Sequence, residues 1–306
     1  MKYIIIKLMV AALFILAPFY NSASLAQELE PRQLSNIPVG MNYLLLGYGY
    51  ASGNILLDPS LPIEDLNGNI HSGIGAYVRT IDFFGLSGKI DVIVPYAKGD
   101  WTGLLEGRDT STARLGFGDP RIRLSFNFSG APALTLSEFK NFKQEEVFGA
   151  ALQIFAPLGQ YDPTKLINIG SNRWTFRPQI GFSKTFERWI IEAYLSGWFF
   201  TANNSFFNGN SLTQKPIYAG KVHLIYTFQN KMWMAFDAGY GIGGRTFVNG
   251  EKKETRISTL RFGLDWSIPF TVQHTLKLSI ISGVRLERGP DFDAFTLIYQ
   301  YRWGGK

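Results

Sequence analysis

From Pro120 onward the chain sorts its side chains by parity. Ile122, Leu124, Phe126 and Phe128 fall on one side, and Arg121, Arg123, Ser125 and Asn127 on the other. A period of two puts these rows on opposite faces of a β-strand. The pattern returns in 147–156, 174–186, 222–228, 260–268 and 276–284. In 260–268, for example, Leu260, Phe262, Leu264, Trp266 and Ile268 oppose Arg261, Asp265 and Ser267. Twelve strands are predicted, over 40–51, 69–81, 84–97, 116–128, 147–157, 173–186, 189–201, 216–228, 231–244, 256–268, 273–286 and 292–303. Most reach the roughly 9–11 residues that a tilted strand needs to cross a bilayer.

After the first strand the connections alternate in length. Long ones are 52–68, 98–115, 158–172, 202–215 and 245–255; short ones are 82–83, 187–188, 229–230 and 269–272. Up-and-down outer-membrane barrels have this asymmetry, with short periplasmic turns and longer external loops. One connection departs from it. Residues 129–146 fall where a short turn belongs, and their middle could form a short helix under the barrel or folded into it. Lipid offers backbone N–H and C=O groups no water, so a membrane sheet has to close on itself. Its oily row then faces hydrocarbon, and its arginines face a polar interior. A soluble sandwich alternates too, but buries its oily face in a shared core. The even strand count and the loop asymmetry favour an all-β fold: a transmembrane up-and-down antiparallel β-barrel of about twelve strands.

The N-terminus agrees. Lys2 precedes an apolar run at 8–19, and Ser24-Leu25-Ala26 offers small residues where signal peptidase cuts. Cleavage after Ala26 is expected. It leaves 27–38 as a periplasmic segment or plug and 39–306 as the barrel. The run is shorter than the ~20 residues of a spanning helix. Cysteine is absent, which removes disulfides, thiolate nucleophiles and cysteine metal sites. The 25 Phe, 14 Tyr and 7 Trp suit an aromatic-belted barrel. The formal charge of +6 falls to +4 once Lys2 and Lys7 leave with the signal, too mild an excess for a nucleic-acid partner. The expected location is the outer membrane of a Gram-negative bacterium.

The last strand sets Phe295, Leu297, Tyr299, Tyr301 and Trp303 on one face. This resembles the terminal signal read by the outer-membrane assembly machinery; an aromatic girdle explains it equally. Two other stretches resemble a known family. GFGDPRIRLSFNFSGAPAL (116–134) is similar to its Gly-x-Gly-Asp strand and Gly-Ala-Pro-Ala-Leu turn. APLGQYDPTKLINIGSNRWTFRPQIGFSK (156–184) is similar to its Pro-x-Gly-x-Tyr, Asn-x-Gly-x-Asn-Arg-Trp and Pro-x-x-Gly signature. The family is the meta-pathway of phenol degradation group of outer-membrane proteins. The resemblance implies a transporter-like barrel, often encoded with pathways for aromatic compounds.

By parity the inward charges are Arg79, Lys89, Arg121, Arg123, Arg177, Lys221, Arg261, Lys277, Arg285 and Arg302, against Asp91, Asp119, Glu192, Asp237 and Asp265. His223 also points inward. Bases outnumber acids, so an open interior would favour anions or polarised aromatic acids. The same residues could instead form a buried ion-pair network in a barrel that transports nothing. Side chains fill barrels of about eight strands and those of about sixteen enclose water; twelve permits either. The loop 157–173 offers Tyr161, Asp162, Asn168, Asn172 and Arg173 as a constriction at the mouth, or as turn chemistry. Phe206 and Phe207 read as exposed aromatics that meet a hydrophobic solute or sit in lipopolysaccharide.

Enzyme readings fare poorly. GYGIGG (239–244) matches a dinucleotide fingerprint in letters only, because no strand–turn–helix unit surrounds it. Walker, HExxH and GxSxG motifs are absent from the sequence. Of His71, His223 and His274, only His274 comes loosely near an outward Ser, which disfavours a Ser–His phospholipase. Asp58, Glu64, Asp65, Asp291 and Asp293 read as solvated loop acids rather than calcium ligands. No catalytic residue, cofactor or metal is expected. Two functions stay open. One is a monomeric barrel passing small aromatic or anionic solutes by diffusion. The other is a closed structural barrel whose loops bind a partner or lipopolysaccharide.

Overall fold

The computed structural model describes residues 29–54, 63–285 and 291–305, without the side chains of 284, 285 and 292. The expected signal peptide and cleavage after Ala26 lie outside these residues. In chain order the elements are β1 (Met41–Asn54), β2 (Ile63–Phe83), β3 (Leu86–Leu105), β4 (Arg108–Phe117), β5 (Arg121–Ser129), α1 (Leu136–Phe139), β6 (Glu146–Phe155), β7 (Thr175–Phe186) and β8 (Trp189–Phe200). Then come β9 (Asn203–Phe206), β10 (Asn210–Gln214), β11 (Ile217–Thr227), β12 (Trp233–Gly243), β13 (Thr246–Val248), β14 (Glu251–Lys252), β15 (Ile257–Pro269), β16 (His274–Arg285) and β17 (Asp291–Gly304).

A 13-stranded sheet runs β2-β1-β17-β16-β15-β12-β11-β8-β7-β6-β5-β3-β4, and pairing of β2 with β3 closes the ring. The chain's first and last strands meet antiparallel from Met41↔Gly304 to Asn54↔Asp291. β4 and β5 share one edge of β3: residues 96–105 pair with β4 and 88–93 with β5. They form one stave broken at 118–120, so the wall has twelve.

Outward side chains such as Leu46, Leu115, Ile180, Leu195 and Leu264 are exposed, whereas Gln153, Ser183, Glu192 and Asp237 are 0% exposed. This apolar belt around a buried polar interior is the inverse of a soluble protein. It places the chain in the outer membrane, where hydrocarbon solvates the belt and the ring satisfies its own backbone. At the end that carries the termini, Phe84 (φ 54°) and Gly85 (φ 82°) turn β2 into β3. Two successive left-handed residues are what a type I′ hairpin requires.

Four stretches expected as loops contain strand. β2 begins at Ile63 and β3 ends at Leu105, where β4 turns back beside it. Most of 98–115 is therefore a hairpin arm beyond the apolar belt. Its residues 108–111 are all exposed. At 108–111 water on both faces removes the oily contrast from which a strand is read. Likewise 202–215 and 245–255 hold a second sheet, ordered β14-β13-β10-β9. Strands this short carry too few residues to show a period.

The anomalous connection 129–146 contains a single helical turn. Thr135 caps it, with Glu138 Oε2 accepting the Thr135 N–H at 2.7 Å. The segment follows the periplasmic rim. Ala133 N–H donates to Gly85 O (3.0 Å), Ser87 N–H to Ala131 O (3.1 Å) and Val39 N–H to Leu134 O (2.8 Å).

Candidate functional site

Residues 29–40 lie inside the ring and contact its inner faces on several sides. Leu34 packs with Ala131, Val147 and Tyr194. Its seat is floored by glycine: a Cβ on Gly149 would stand 2.4 Å from Leu34 Cδ2, and one on Gly181 3.2 Å from Cδ1. Leu29 has a similar seat, where a Cβ on Gly239 or Gly263 would come within 3.0 Å of it. Glycines on inward strand positions thus leave room for leucines arriving from the N-terminus.

Polar contacts fix the same segment. Arg123 donates from Nε to Asp91 Oδ2 (2.6 Å) and from Nη1 and Nη2 to the Glu30 carboxylate (2.7 and 3.2 Å). Burial alone would raise the Glu30 pKa, but the charge and hydrogen bond of Arg123 outweigh it and hold the carboxyl below its ordinary range. Lys89 Nζ donates to the carbonyls of Gln33 and Ser35 at 2.8 and 2.9 Å. Glu192 Oε2 accepts the Arg32 N–H at 2.6 Å and the Tyr194 O–H at 2.8 Å. Gln179 Nε2 donates to Gln33 Oε1 at 2.7 Å. Where the segment becomes β1, Thr80 Oγ1 donates to Pro38 O (2.6 Å) and accepts the Met41 N–H (2.8 Å).

The other inward charges line the same interior. The Lys221 ammonium sits 4.8 Å from the Tyr194 ring centroid, and the Arg177 guanidinium 4.6 Å from that of Trp198. His223 Nδ1 and Asp237 Oδ1 form a fully buried pair, with Asp265 beside it. Arg121 Nη1 approaches Gln153 Oε1 at 3.5 Å, and Arg261 is 1% exposed. Lys277 faces inward opposite Ser267 and Ile298. Arg302 lies towards the periplasmic rim, where its Nε donates to the Val272 carbonyl. The Arg285 side chain lies outside the described residues.

Arg79 and Asp119 depart from the expected interior row. Arg79 shares the outer face of β2 with Tyr77, and both donate to Asn42 Oδ1, at 2.9 and 2.7 Å. Tyr77 in turn stands 6.3 Å from the Trp303 ring. At this edge of the belt an arginine reaches interfacial water, so parity alone misassigns it. Asp119 is a loop brace. Its Oδ1 accepts the Gly159 N–H (2.9 Å), and its Oδ2 accepts the Ser171 N–H and O–H (2.8 and 2.6 Å). The two motif stretches are thereby tied into one knot.

The mouth-loop residues fasten that knot to the second sheet. Asp162 Oδ1 accepts the Thr164 N–H and O–H, and Asn168 Oδ1 accepts the Asp162 N–H. Tyr161 donates to Ser205 O at 3.1 Å, Asn172 to Asn203 Oδ1 at 2.9 Å and Arg173 to Gln214 Oε1 at 2.6 Å. Phe206 is not exposed as expected. It is buried in an external core with Trp101, Ile167 and Leu212, and Phe207 packs against that core. Parity reasoning missed Glu30, Arg32, Gln33 and Leu34, which lie on no strand. It also passed over Tyr194 and Gln153, because it tracked charges. The one available signal was the mix of Leu29, Glu30, Arg32 and Leu34 shortly after the expected cleavage point.

The closed ring and its charged interior define an outer-membrane β-barrel. Residues 57–297 match the family described as "Putative MetA-pathway of phenol degradation", and the chain belongs to that family. The fold is similar to the COG4313 outer membrane channel from Pseudomonas putida F1 (TM-score 0.74, 19% identity, 90% of this chain and 100% of that one). It is also similar to the transport unit of the autotransporter AIDA-I from Escherichia coli (TM-score 0.50, 9% identity, 90% of this chain and 92% of that one). No curated protein matches the chain.

Proposed function

We propose that the protein is a passive channel for small solutes and that the N-terminal segment up to residue 38 is its plug. The observation that carries this reading is the pair of glycine-floored leucine seats joined by the Glu30–Arg123 clamp. A detachable segment inside a charged ring has the build of a gate. Lys89, Arg121, Arg123, Arg177, Lys221, Arg261 and Lys277 outnumber Asp91, Glu192, Asp237 and Asp265, which supports a preference for anions. The family description supports aromatic compounds among the solutes. The outward aromatics of β17, Phe295, Tyr299, Tyr301 and Trp303, are the surface we assign to the assembly machinery. A ring that closes on itself needs no second copy, so we assign a monomer.

The test is conductance in planar bilayers, comparing the mature chain with a variant lacking 27–36. The truncated barrel should conduct more and prefer anions. Arg121→Glu in that background should lower the preference. A second reading, a closed structural barrel, is favoured by the burial of Glu192, His223 and Asp237 to 0–1% exposure. A truncated barrel that folds and stays silent would establish that alternative and reject the channel.

A further inference from the structure

A cavity stands outside the membrane belt, between the hairpin arm and the loop knot. It encloses about 330 Å³. That is at the small end of the range of ligand pockets. Its floor is apolar: Leu66, Trp101 and Ile167 are 5%, 1% and 4% exposed. Trp101 is held in place by two glycines, since a Cβ would come to 2.1 Å from its ring at Gly99 and 2.5 Å at Gly68. On the wall Thr110 stands opposite Gly103 in the arm's register, and Thr110 lines the cavity.

The polar side of this cavity is cationic. Arg114 and Lys165 both line it. Arg114 is half-buried and braced, with Nε donating to Ile167 O at 2.7 Å and Nη1 to Thr112 Oγ1 at 2.7 Å. Lys165 is exposed. Among the described residues neither makes a salt bridge. The neighbouring Asp162 carboxylate accepts from Thr164 and is within electrostatic reach of both cations, which leaves one net positive charge on this side. Hydroxyls of Thr102, Ser111 and Thr112 complete the wall.

We propose that this external pocket is a binding site for a small amphipathic organic anion. The apolar body enters over Leu66 and Ile167, and the acid group meets Lys165 and the braced guanidinium of Arg114. The volume admits a body of one or two rings. Binding here does not require the barrel to conduct, so the proposal stands or falls apart from the channel reading.

The test is calorimetric titration of the purified mature protein with benzoate, and with benzyl alcohol as its neutral counterpart. Benzoate should bind saturably and more tightly than benzyl alcohol. Lys165→Glu should weaken benzoate roughly three- to tenfold, as reversal of one exposed charge implies. Thr110→Trp should fill the cavity and abolish binding. Glu30→Gln, at the plug, should leave binding unchanged. Heat-modifiable migration on gels checks that each variant has folded. No saturable heat at millimolar benzoate overturns the proposal. So does benzyl alcohol binding as tightly, or full benzoate affinity in either Lys165→Glu or Thr110→Trp.

Discussion

Leu34→Ala is the sharpest perturbation of the plug. Leu34 is 5% exposed, and its floor is the backbone at Gly149 and Gly181. The glycine floor has no side chain to move into the space that truncation leaves, and only Val147 and Tyr194 at its sides can close on it. Buried Leu→Ala changes cost about 2.7–5 kcal/mol, more where the cavity persists. A loss of about 3 kcal/mol corresponds to roughly a hundredfold change in the docked-to-undocked ratio. Single-channel recordings should therefore show a large rise in the open fraction, while the barrel keeps its heat-modifiable migration. Gly149→Ala should act in the same direction, because its Cβ would meet Leu34 at 2.4 Å. If the open fraction stays unchanged while thermal stability falls, Leu34 is core packing and not part of a gate.

Other consequences can be measured directly. Glu30 is held below its ordinary pKa of 4.5, so its ionised form favours the docked plug above that pH. That contribution is lost as pH falls towards the docked-state value; conductance should be flat from pH 7 to about 5 and rise below, and Glu30→Gln should flatten the rise. Thr80→Val removes the group that joins Pro38 O and the Met41 N–H, at 1% exposure. It should cost about 1–3 kcal/mol of stability, read as a lower midpoint of heat-modifiability. Leu264→Arg puts a charge on the outer face of β15, where Leu264 is 52% exposed. Urea unfolding in phospholipid should show a loss of about 2–4 kcal/mol, and a neutral result would mean that this face does not meet hydrocarbon.

Strand parity was legible wherever one face met lipid. The alternation of Ile122 and Leu124 with Arg121 and Arg123 places β5 in the wall and its arginines inside. It failed where lipid ended. Arg79 sits at the belt's edge, and the arm at 108–111 has water on both faces, so neither shows the contrast that marks a membrane strand.

Period two and an exported, cysteine-free chain were enough to specify a closed barrel in the outer membrane, because hydrocarbon imposes that pattern on every strand. Which charges pair was decided only by closure. Glu30 and Arg123 are 93 residues apart, and Arg32 and Glu192 are 160. The ring brings such groups within hydrogen-bonding distance, and no local rule of sequence encodes which of them will meet.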